Sequence, residues 1–489
     1  MQGEPEQRTK ALRESEGPVR ATMSGNGKAP GPGGAKRARV EQEPQEGNAA
    51  AAQTAGVAST KRMGVGEIAR QNPNLRFKAV AHLLTVGALA GAFSRLRRDA
   101  AVGVDGVTVE QYQEDLGANL EHLHERMKAG RYRHQPIRRV NIPKEGGKTR
   151  PIGVSCTEDK VVQQALRLLL EEIYEQDFLP CSYGFRPGVG AHDAMRALNW
   201  MVMNGVGNWI LEADIRAYFD SIDRKLLMEM VSRRVEDGRI LRLVGKCLHV
   251  GVLDGEEYTE PEVGTAQGSV ISPLLGNIYL HYVLDEWFEQ EVRPRLRGRA
   301  QLIRYADDFI IGFERQDDAE RVMQVLHQRM ERYGLRLHPD KTRLIPFQRP
   351  APGAGGGGSS STFDFLGFTM YWRRTRRGGW GCGMKTRKAR LSRAIQAVRD
   401  FCRRSRHWPL EEQHSKLRTR IQGHYNYFGV NGNVNSLAKL QCAAERAWFK
   451  WLRRRSQRSR LTWERFKDLL KRYALPQPTI RVQIWVPSL

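Results

Sequence analysis

Large apolar side chains within the first hundred residues recur at close to helical spacing. The recurrence runs from residue 75 to residue 96 and predicts two short helices. Its members are Leu75, Phe77, Val80, Leu83 and Leu84 in the first helix, and Leu89, Phe93 and Leu96 in the second. Residues 103–106, Gly-Val-Asp-Gly, then interrupt the pattern with turn-forming residues.

Two runs of β-forming residues in the middle of the chain predict strands. Residues 209–215 form an apolar run that delivers Asp214 near its end. Residues 302–313 place apolar residues on both sides of Ala-Asp-Asp, which predicts a hairpin with Asp307 and Asp308 at or beside its tip.

Helical spacing returns in the last quarter of the chain. Residues 387–404, 411–428 and 435–454 each carry it, with turn-forming residues between them. We therefore predict three helices that follow the strand-forming region.

Two stretches have a composition that does not favour a packed core. Residues 1–60 contain almost no large apolar side chains and predict a disordered N-terminal tail, because such a segment cannot bury enough surface to offset its ordering entropy. Residues 351–360, Ala-Pro-Gly-Ala-Gly-Gly-Gly-Gly-Ser-Ser, predict a flexible loop.

Charge is distributed unevenly over the 489 residues. The whole chain carries 79 Lys and Arg against 54 Asp and Glu, a net charge of +25, and its length predicts two to four folded units. Residues 363–489 hold 29 Lys and Arg against 7 Asp and Glu, together with seven tryptophans. The excess of positive charge favours nucleic acid as the partner, with an acidic membrane surface as second choice. Basic and aromatic residues together suit phosphate contact and base stacking. The alternative for the tryptophans is that they fill helix cores.

The six cysteines exclude several classes of protein. None forms a Cys-x-x-Cys pair, so a zinc ribbon or a disulfide-stapled scaffold is not expected.

The sequence contains no run of eighteen apolar residues, so a transmembrane helix is not expected. The first thirty residues lack the apolar core of a signal peptide. We expect an intracellular protein that does not enter a membrane.

The aspartates are the candidate chemistry. Adjacent carboxylates resist joint ionisation when they are buried, and a bound Mg²⁺ removes that cost. An Asp-Asp pair alone is equally compatible with an ordinary surface turn. A third carboxylate changes the balance. Asp214, at the end of a separate strand about ninety residues before Asp307 and Asp308, favours a site for two-metal phosphoryl transfer over a surface turn.

At this point a resemblance is clear. The segment 304–308, Arg-Tyr-Ala-Asp-Asp, resembles the catalytic hairpin of reverse transcriptases, in the form typical of group II intron-encoded proteins. Further blocks resemble the family in the expected order, and they are residues 101–108 (AVGVDGVT), 142–144 (IPK), 149–153 (TRPIG), 182–187 (SYGFRP), 264–275 (GTAQGSVISPLL), 334–342 (GLRLHPDKT) and 363–368 (FDFLGF). Val102 and Ala266 stand where the family more often has proline. The likeness spans roughly residues 74–489.

The resemblance implies an α+β fold, a right-hand polymerase whose fingers and palm contain antiparallel sheet and are followed by an α-helical thumb. The domain boundaries that we predict are a tail (1–60), an N-terminal extension (61–110), fingers and palm (111–350), a Gly-rich loop (351–362), the end of the palm with the thumb or maturase domain (363–455), and a short DNA-binding region (456–489). No endonuclease module is expected.

The resemblance also implies a catalytic centre. Asp214, Asp307 and Asp308 are the expected metal ligands, joined by the main-chain oxygen of Ile215, and the expected cofactor is a pair of Mg²⁺ ions with Mn²⁺ as a substitute. Lys341 matches the lysine that protonates the departing pyrophosphate, the alternative being an ordinary surface lysine.

Substrate-binding residues follow in the same way. Lys144 and Arg150 flank a glycine turn that can aim both cations at a triphosphate, although a solvated loop would look similar in sequence. Phe219 matches the steric gate that excludes the 2′-hydroxyl, and its neighbour Tyr218 could share or take that role. Residues 267 and 268, Gln267 and Gly268, belong to the loop beside the nucleotide and template.

The implied function is an RNA-directed DNA polymerase, a nucleotidyltransferase, that also acts as a maturase for its intron. Its expected partners are group II intron RNA, an RNA template with a DNA primer, target DNA and dNTPs, with a homodimer left open, and its expected location is the bacterial cytoplasm or nucleoid. Two alternatives remain: a splicing cofactor with vestigial polymerase activity, and a host-adopted stand-alone reverse transcriptase in repair or defence. The presence of all three aspartates argues against the cofactor alternative.

Overall fold

The structure, a computed structural model, describes residues 64–143, 149–254, 257–259, 264–265, 268–351, 361–456 and 458–485. The predicted tail, most of the predicted Gly-rich loop, Lys144 and Gln267 lie outside the described residues. No helix in the described ranges is both long enough and apolar enough to cross a bilayer.

The described chain is a mixture of helices and three sheets. In chain order the α-helices are α1 (Val86–Phe93), α2 (Val109–Glu114), α3 (Leu116–Lys128), α4 (Thr157–Tyr174), α5 (Ala191–Met203), α6 (Tyr218–Ser221), α7 (Arg224–Ser232), α8 (Gly238–Leu248), α9 (Ser272–Leu280), α10 (Gln316–Arg332), α11 (Lys388–Arg404), α12 (Leu410–Phe428), α13 (Val434–Arg453) and α14 (Trp463–Arg472). The strands are β1 (Ile137–Pro143), β2 (Thr149–Val154), β3 (Trp209–Asp214), β4 (Val252–Asp254), β5 (Glu257–Thr259), β6 (Ala300–Tyr305), β7 (Asp308–Phe313), β8 (Arg343–Pro346), β9 (Phe363–Phe365), β10 (Phe368–Arg374) and β11 (Trp380–Thr386).

Two N-terminal helices were predicted from the sequence, and the prediction of the first one is wrong. Phe77 is extended and forms a parallel bridge with Val235, and its N–H donates to the carbonyl of Arg234 at 2.8 Å. The carboxylate of Asp237 accepts hydrogen bonds from the N–H groups of Val80 and Ala81, both at 2.8 Å. A helix at residues 64–71 precedes this segment, and between it and α1 only the 3₁₀ turn at Ala81–Leu83 is helical. The long-range partners satisfy the backbone groups that a helix would otherwise use.

The central sheet has the strand order β6-β7-β3-β8, and every pairing in it is antiparallel. Both the strand predicted to deliver Asp214 and the predicted Ala-Asp-Asp hairpin are confirmed. Alternate residues of these strands are buried on opposite faces, Leu302 against the helices α4, α7 and α9 and Ile303 against α5 and the sheet β11-β10-β9. The sheet is therefore covered on both faces, and the ends of its strands remain for function.

A second sheet, β2-β1-β4-β5, lies apart from the central one and contains the basic hairpin β1–β2. Helix α9 leads into two π-helical segments, His281–Asp285 and Trp287–Val292, before the chain returns as β6. A π-helix is rare and often marks a functional site. Here it supplies a side chain to the hairpin described below.

The three predicted C-terminal helices are confirmed as α11, α12 and α13. They enclose a core of their own with Trp448 fully buried, and Phe466 of α14 packs into that core. The last described residues return to the central region, where Val482 bridges Val430 and Ile484 is buried. The predicted domain boundaries, including the DNA-binding region at 456–489, stay predictions.

Candidate active site

Two of the predicted carboxylates are direct neighbours across strands. Asp214, the last residue of β3, pairs in register with Asp308, the first residue of β7, and Asp308 pairs on its other side with Tyr305. Directly opposed residues in an antiparallel sheet project to the same face, so these three side chains share one face at the strand ends. Asp307 lies in the connecting turn, which is tightened by a positive φ of 57° at Ala306. The structure thus brings the three predicted aspartates together.

Burial opposes ionisation of both hairpin aspartates. Desolvation raises the pKa of Asp308 to about 7, and the negative charges of Asp214 and Asp307 add to the rise. Desolvation and the charge of Asp214 also raise the pKa of Asp307, while Arg150 and Lys341 act in the opposite direction. Carboxylates in this condition fit a divalent cation, which would offset the burial and the mutual repulsion.

Lys341 lies at the edge of this carboxylate group. Its ammonium donates to Asp214 at 2.6 Å while the lysine side chain remains 56% exposed. The segment that carries it is anchored by His338, whose N–H donates to the main-chain carbonyl of Asp214 at 2.8 Å. In the described residues, no three or more Asp, Glu, His or Cys side chains are arranged as a ready-made metal site. The ammonium of Lys341 already compensates one of the three carboxylates.

Ile215, the predicted main-chain ligand, is buried directly after β3. Ile215 forms an isolated antiparallel bridge with Leu337. The hydrogen bonds of this bridge are made by the main chain of Asp214 and Arg216, and the main chain of Ile215 does not take part in them. Its role as a ligand stays a prediction.

The most extensive support of the hairpin is a buried arginine that the sequence reasoning missed. Arg304 is fully buried and its guanidinium binds the carboxylate of Asp285 at 2.7 and 2.5 Å. The same guanidinium donates to the side chains of Asn277 (2.9 Å) and Ser182 (2.7 Å) and to the carbonyl of Ala306 (3.2 Å). The sequence offered one signal for this interaction, an arginine within an apolar strand-forming run. Such an arginine is expected to be buried, and a buried charge needs a partner.

Residues 182–186 pack tightly against the hairpin turn. A Cβ on Gly184 would lie 2.4 Å from the backbone nitrogen of Ala306, so only glycine fits there. Phe185 follows with a φ of 58° and is 46% exposed, its ring 6.5 Å from that of Tyr305. The left-handed conformation is costly for phenylalanine and is maintained by hydrogen bonds of its neighbours, Arg186 among them.

Tyr218 and Phe219 have different environments. Tyr218 is buried and its hydroxyl donates to the carbonyl of Gly276 on α9 at 2.5 Å. Phe219 is only partly buried and its ring lies 5.2 Å from that of Tyr218. A Cβ on Gly276 would come within 3.1 and 3.2 Å of the two rings, so this glycine lets α9 approach them.

The predicted nucleotide loop contacts strand β2 and helix α6, which follows β3, where the loop is described. Thr265 donates its N–H to the carbonyl of Phe219 at 2.7 Å. Gly268 has a φ of 106°, and a Cβ there would lie 2.4 Å from the side chain of Ile152 on β2. Arg150, two residues earlier on that strand, is exposed. Burial raises the pKa of Asp220, and the positive charge of Arg150 opposes that rise. The loop therefore joins the basic hairpin to the carboxylate side of the central sheet.

Comparison with known proteins agrees with this geometry. A family model described as "Reverse transcriptase (RNA-dependent DNA polymerase)" matches residues 142–370. Protein YkfC of Escherichia coli K12 is 33% identical over 347 residues, which cover 63% of this chain and 87% of that protein.

The chain belongs to the reverse transcriptase family. Two further relatives are similar over shorter stretches. An uncharacterized 91 kDa protein in the cob intron of Schizosaccharomyces pombe is 40% identical over 171 residues (35% of this chain, 21% of that protein), and the group II intron-encoded protein LtrA of Lactococcus lactis is 34% identical over 194 residues (39% and 32%). The chain thus matches most of YkfC but a third or less of these two longer relatives.

Family membership confirms the predicted recognition, the predicted α+β right-hand polymerase fold and RNA-directed DNA polymerase as the enzyme class. Reverse transcriptases generally use divalent metal ions such as Mg²⁺ and act on nucleic acids. The individual site residues are not tested by the family match, and their roles stay predictions.

This reverse transcriptase also has a basic groove remote in sequence from the carboxylates. The groove, of about 800 Å³, lies between helices α11 and α13. Five cations line it, namely Arg399, Arg403, Lys439, Arg446 and Lys450. Asp400 is the only acid among the described lining residues, and Cys442, the one exposed cysteine of the six, lies in it as well.

Proposed function

We propose that this chain is the reverse transcriptase and maturase of a group II intron, extending a DNA primer on an RNA template with dNTPs. The observation that carries the proposal is the register of β3 and β7, which sets Asp214 opposite Asp308 with Asp307 in the adjoining turn. Relatives named for intron-encoded proteins support the intron as its source.

We assign the metal site to the carboxylates of Asp214, Asp307 and Asp308, with the main-chain oxygen of Ile215 as a further ligand. Two Mg²⁺ ions, or Mn²⁺ in their place, would when bound activate the primer 3′-hydroxyl and offset charge on the leaving pyrophosphate. Support comes from the raised pKa of both hairpin aspartates, whose burial leaves negative charge in need of a cation. Lys341 is assigned to hold a proton beside the leaving group, in keeping with its exposed ammonium next to Asp214.

The incoming nucleotide is assigned to the space between the basic hairpin and Phe219. Arg150, together with Lys144, would bind the triphosphate, because an arginine fork and a lysine point charge suit phosphate oxygens. Phe219 rather than Tyr218 is proposed as the steric gate. The support is that Tyr218 is buried with its hydroxyl engaged, whereas part of the Phe219 ring is exposed. Gln267 and Gly268 would line the template side.

Intron RNA is assigned to the basic groove between α11 and α13, with target DNA contacted through residues 456–489. Among the described residues, Arg399, Lys439 and Arg446 make no ion pair within the protein, so their charges remain for phosphates. Binding of this kind releases counterions and weakens steeply as salt rises. The groove thus offers a surface for splicing assistance that is separate from the carboxylates.

Substitution of Asp307 tests the proposal. Asp307→Ala should abolish primer extension on an RNA template with dNTPs and Mg²⁺, while affinity for the intron RNA, measured by filter binding, stays close to that of the unaltered chain. Asp340→Ala is the matched control, because it removes the same charge from a side chain that is 89% exposed and should leave extension intact.

The outcomes separate the two functions. Extension that survives Asp307→Ala would reject the carboxylate assignment. An unaltered chain that promotes intron splicing but never extends a primer would favour the alternative of a splicing cofactor with vestigial polymerase activity. Polymerase activity without any preference for the intron RNA would favour a stand-alone reverse transcriptase.

A further inference from the structure

A chain of buried polar side chains connects the segment before β1 to the loop that precedes α9. All of its members have buried side chains, and they are Tyr132, His134, Ser155, Asp159, Gln163 and Ser269. Buried polar groups that satisfy one another completely restrict the structure to one arrangement. The chain crosses from the β1–β2 side of the molecule to the nucleotide loop.

Asp159 on α4 forms one end of this chain. Its carboxylate accepts from the side-chain hydroxyl of Tyr132 at 2.6 Å and from the backbone N–H of Gln135 at 3.1 Å, so it binds residues on both sides of His134. The Nδ1 atom of His134 lies 2.6 Å from the carbonyl oxygen of Gln135. A carbonyl only accepts, so we assign the proton to Nδ1, which leaves Nε2 as an acceptor.

Gln163 forms the centre of the chain. Its amide nitrogen donates to Nε2 of His134 at 2.7 Å and to the hydroxyl of Ser155 at 3.1 Å. Its amide oxygen accepts from the hydroxyl of Ser269 and from the N–H of Val270, both at 2.9 Å. The two ends of an amide are not equivalent, because only the nitrogen donates. An acceptor at His134 therefore ensures that the oxygen of Gln163 faces the loop.

The loop that Gln163 holds has little freedom elsewhere. Gly268, directly before Ser269, packs against β2 so closely that a Cβ would meet the side chain of Ile152 at 2.4 Å and the carbonyl of Gly153 at 2.7 Å. Helix α9 begins two residues after Val270 and carries Gly276, which lies against Tyr218 and Phe219. A shift of residues 269–270 would be transmitted to both surfaces.

We propose that Gln163 is a positioning residue for the nucleotide site, with its amide oriented by His134 and Asp159. It acts by holding residues 268–270 between β2 and α9, and it does not touch the substrate. The inference rests on the proposed function, since it concerns the loop assigned there to the nucleotide and template. Gln163, His134 and Asp159 lie outside the sequence blocks that resemble the family, and in this proposal they set the affinity for the incoming dNTP.

Two variants test the chain at different points. Gln163→Leu removes both halves of the amide, whereas His134→Leu keeps the amide and removes the acceptor that orients it. Each should raise KM for dNTP by about tenfold while kcat falls much less, because a displaced loop weakens ground-state binding. His134→Gln keeps an acceptor in this position and should restore KM to within about threefold.

A matched control separates positioning from stability. Asp318 is equally buried and also holds a loop, accepting from the N–H groups of Arg297 (3.0 Å) and Gly298 (2.8 Å), but that loop is not assigned to any substrate. Asp318→Asn should lower the melting temperature without moving KM. If the leucine variants shift KM no more than Asp318→Asn does at an equal loss of stability, Gln163 is only structural and the inference is overturned.

A second readout does not depend on polymerase activity. Hydrogen exchange at the amide of Val270 should be faster in Gln163→Leu and in His134→Leu than in the unaltered chain, and unchanged in Asp318→Asn. Unchanged protection of Val270 would overturn the inference even if KM moved. Faster exchange in a chain that has no polymerase activity would instead reject the proposed function and keep the structural link.

Discussion

The guanidinium of Arg304 and the carboxylate of Asp285 form a two-point ion pair, at 2.7 and 2.5 Å, in which neither side chain is exposed. Asp285 comes from a π-helical segment and Arg304 from strand β6, two residues before the turn that leads to Asp307. Because the guanidinium also donates to the carbonyl of Ala306, the pair fixes the turn on which the hairpin carboxylates depend.

Loss of one partner should therefore damage both stability and activity. Arg304→Met leaves Asp285 as an uncompensated buried charge, and we expect a loss of about 3–5 kcal/mol in the free energy of unfolding. Urea unfolding measures this directly. Primer extension should be lost even below the melting temperature, because the turn loses its support.

An exposed pair provides the control for that experiment. Arg315 and Asp317 form a contact of 2.9 Å with both side chains more than 40% exposed. Arg315→Met should cost much less stability than Arg304→Met, because solvent screens an exposed ion pair. Equal losses from the two arginine variants would contradict the importance that we give to the buried pair.

Discrimination between sugars should depend on Phe219. Phe219→Val shortens the side chain beside the proposed nucleotide site, so incorporation of rNTPs relative to dNTPs should rise by at least about tenfold. The comparison of kcat/KM for the two nucleotides measures it. Tyr218→Phe is the paired variant, because it removes only the hydrogen bond to Gly276 and should cost about 1 kcal/mol of stability. A change in sugar preference from Tyr218→Phe alone would assign the gate to Tyr218.

Local sequence patterns were sufficient to predict the strands and the hairpin that carry the carboxylates. β-forming residues predict the strand before Asp214 and the hairpin around Asp307, and burial of those same residues against both covering layers keeps the elements in place. The helices α11 to α13 were predictable for the same reason, since their apolar faces enclose one core. Agreement between local preference and tertiary packing is what makes such elements readable from sequence.

Long-range polar partners are what the sequence could not supply. Asp237 captures the N–H groups of Val80 and Ala81 from more than 150 positions away, and that bond replaces the predicted helix. The orientation of the Gln163 amide likewise depends on His134, which local periodicity does not connect to it. Lys144 and Gln267 were predicted from motifs, and they lie outside the described residues.

Acid should weaken the helical C-terminal region through His424. Burial lowers the pKa of this histidine to about 4, and its Nε2 has no hydrogen-bond partner among the described residues. The unfolded chain has the higher pKa, near 6.5, so it binds the proton more readily. The stabilisation from neutral His424 is therefore complete above pH 6.5 and is lost as the pH falls toward 4.

The size of that loss is limited by a single proton. His424 should contribute a slope of at most about 1.4 kcal/mol per pH unit to the free energy of unfolding. His424→Leu removes the titration, so the free energy of unfolding of the unaltered chain minus that of the variant should fall from pH 7 to pH 5. A constant difference across that range would contradict the assignment.

Cys442 offers a direct probe of the groove between α11 and α13. The other five cysteines are buried, so a maleimide should modify Cys442 selectively. Because Cys442 lies among Lys439, Arg446 and the other lining cations, bound intron RNA should protect it, and a bulky adduct should weaken RNA binding.

The dependence of RNA affinity on salt tests the same groove. Arg446→Gln should reduce the slope of log affinity against log salt by about 0.7–0.9 if this arginine contacts one phosphate. Arg315→Gln, an equal charge change outside the groove, should leave the slope nearly unchanged. Unprotected Cys442 and equal slopes for both variants would place the RNA on another surface.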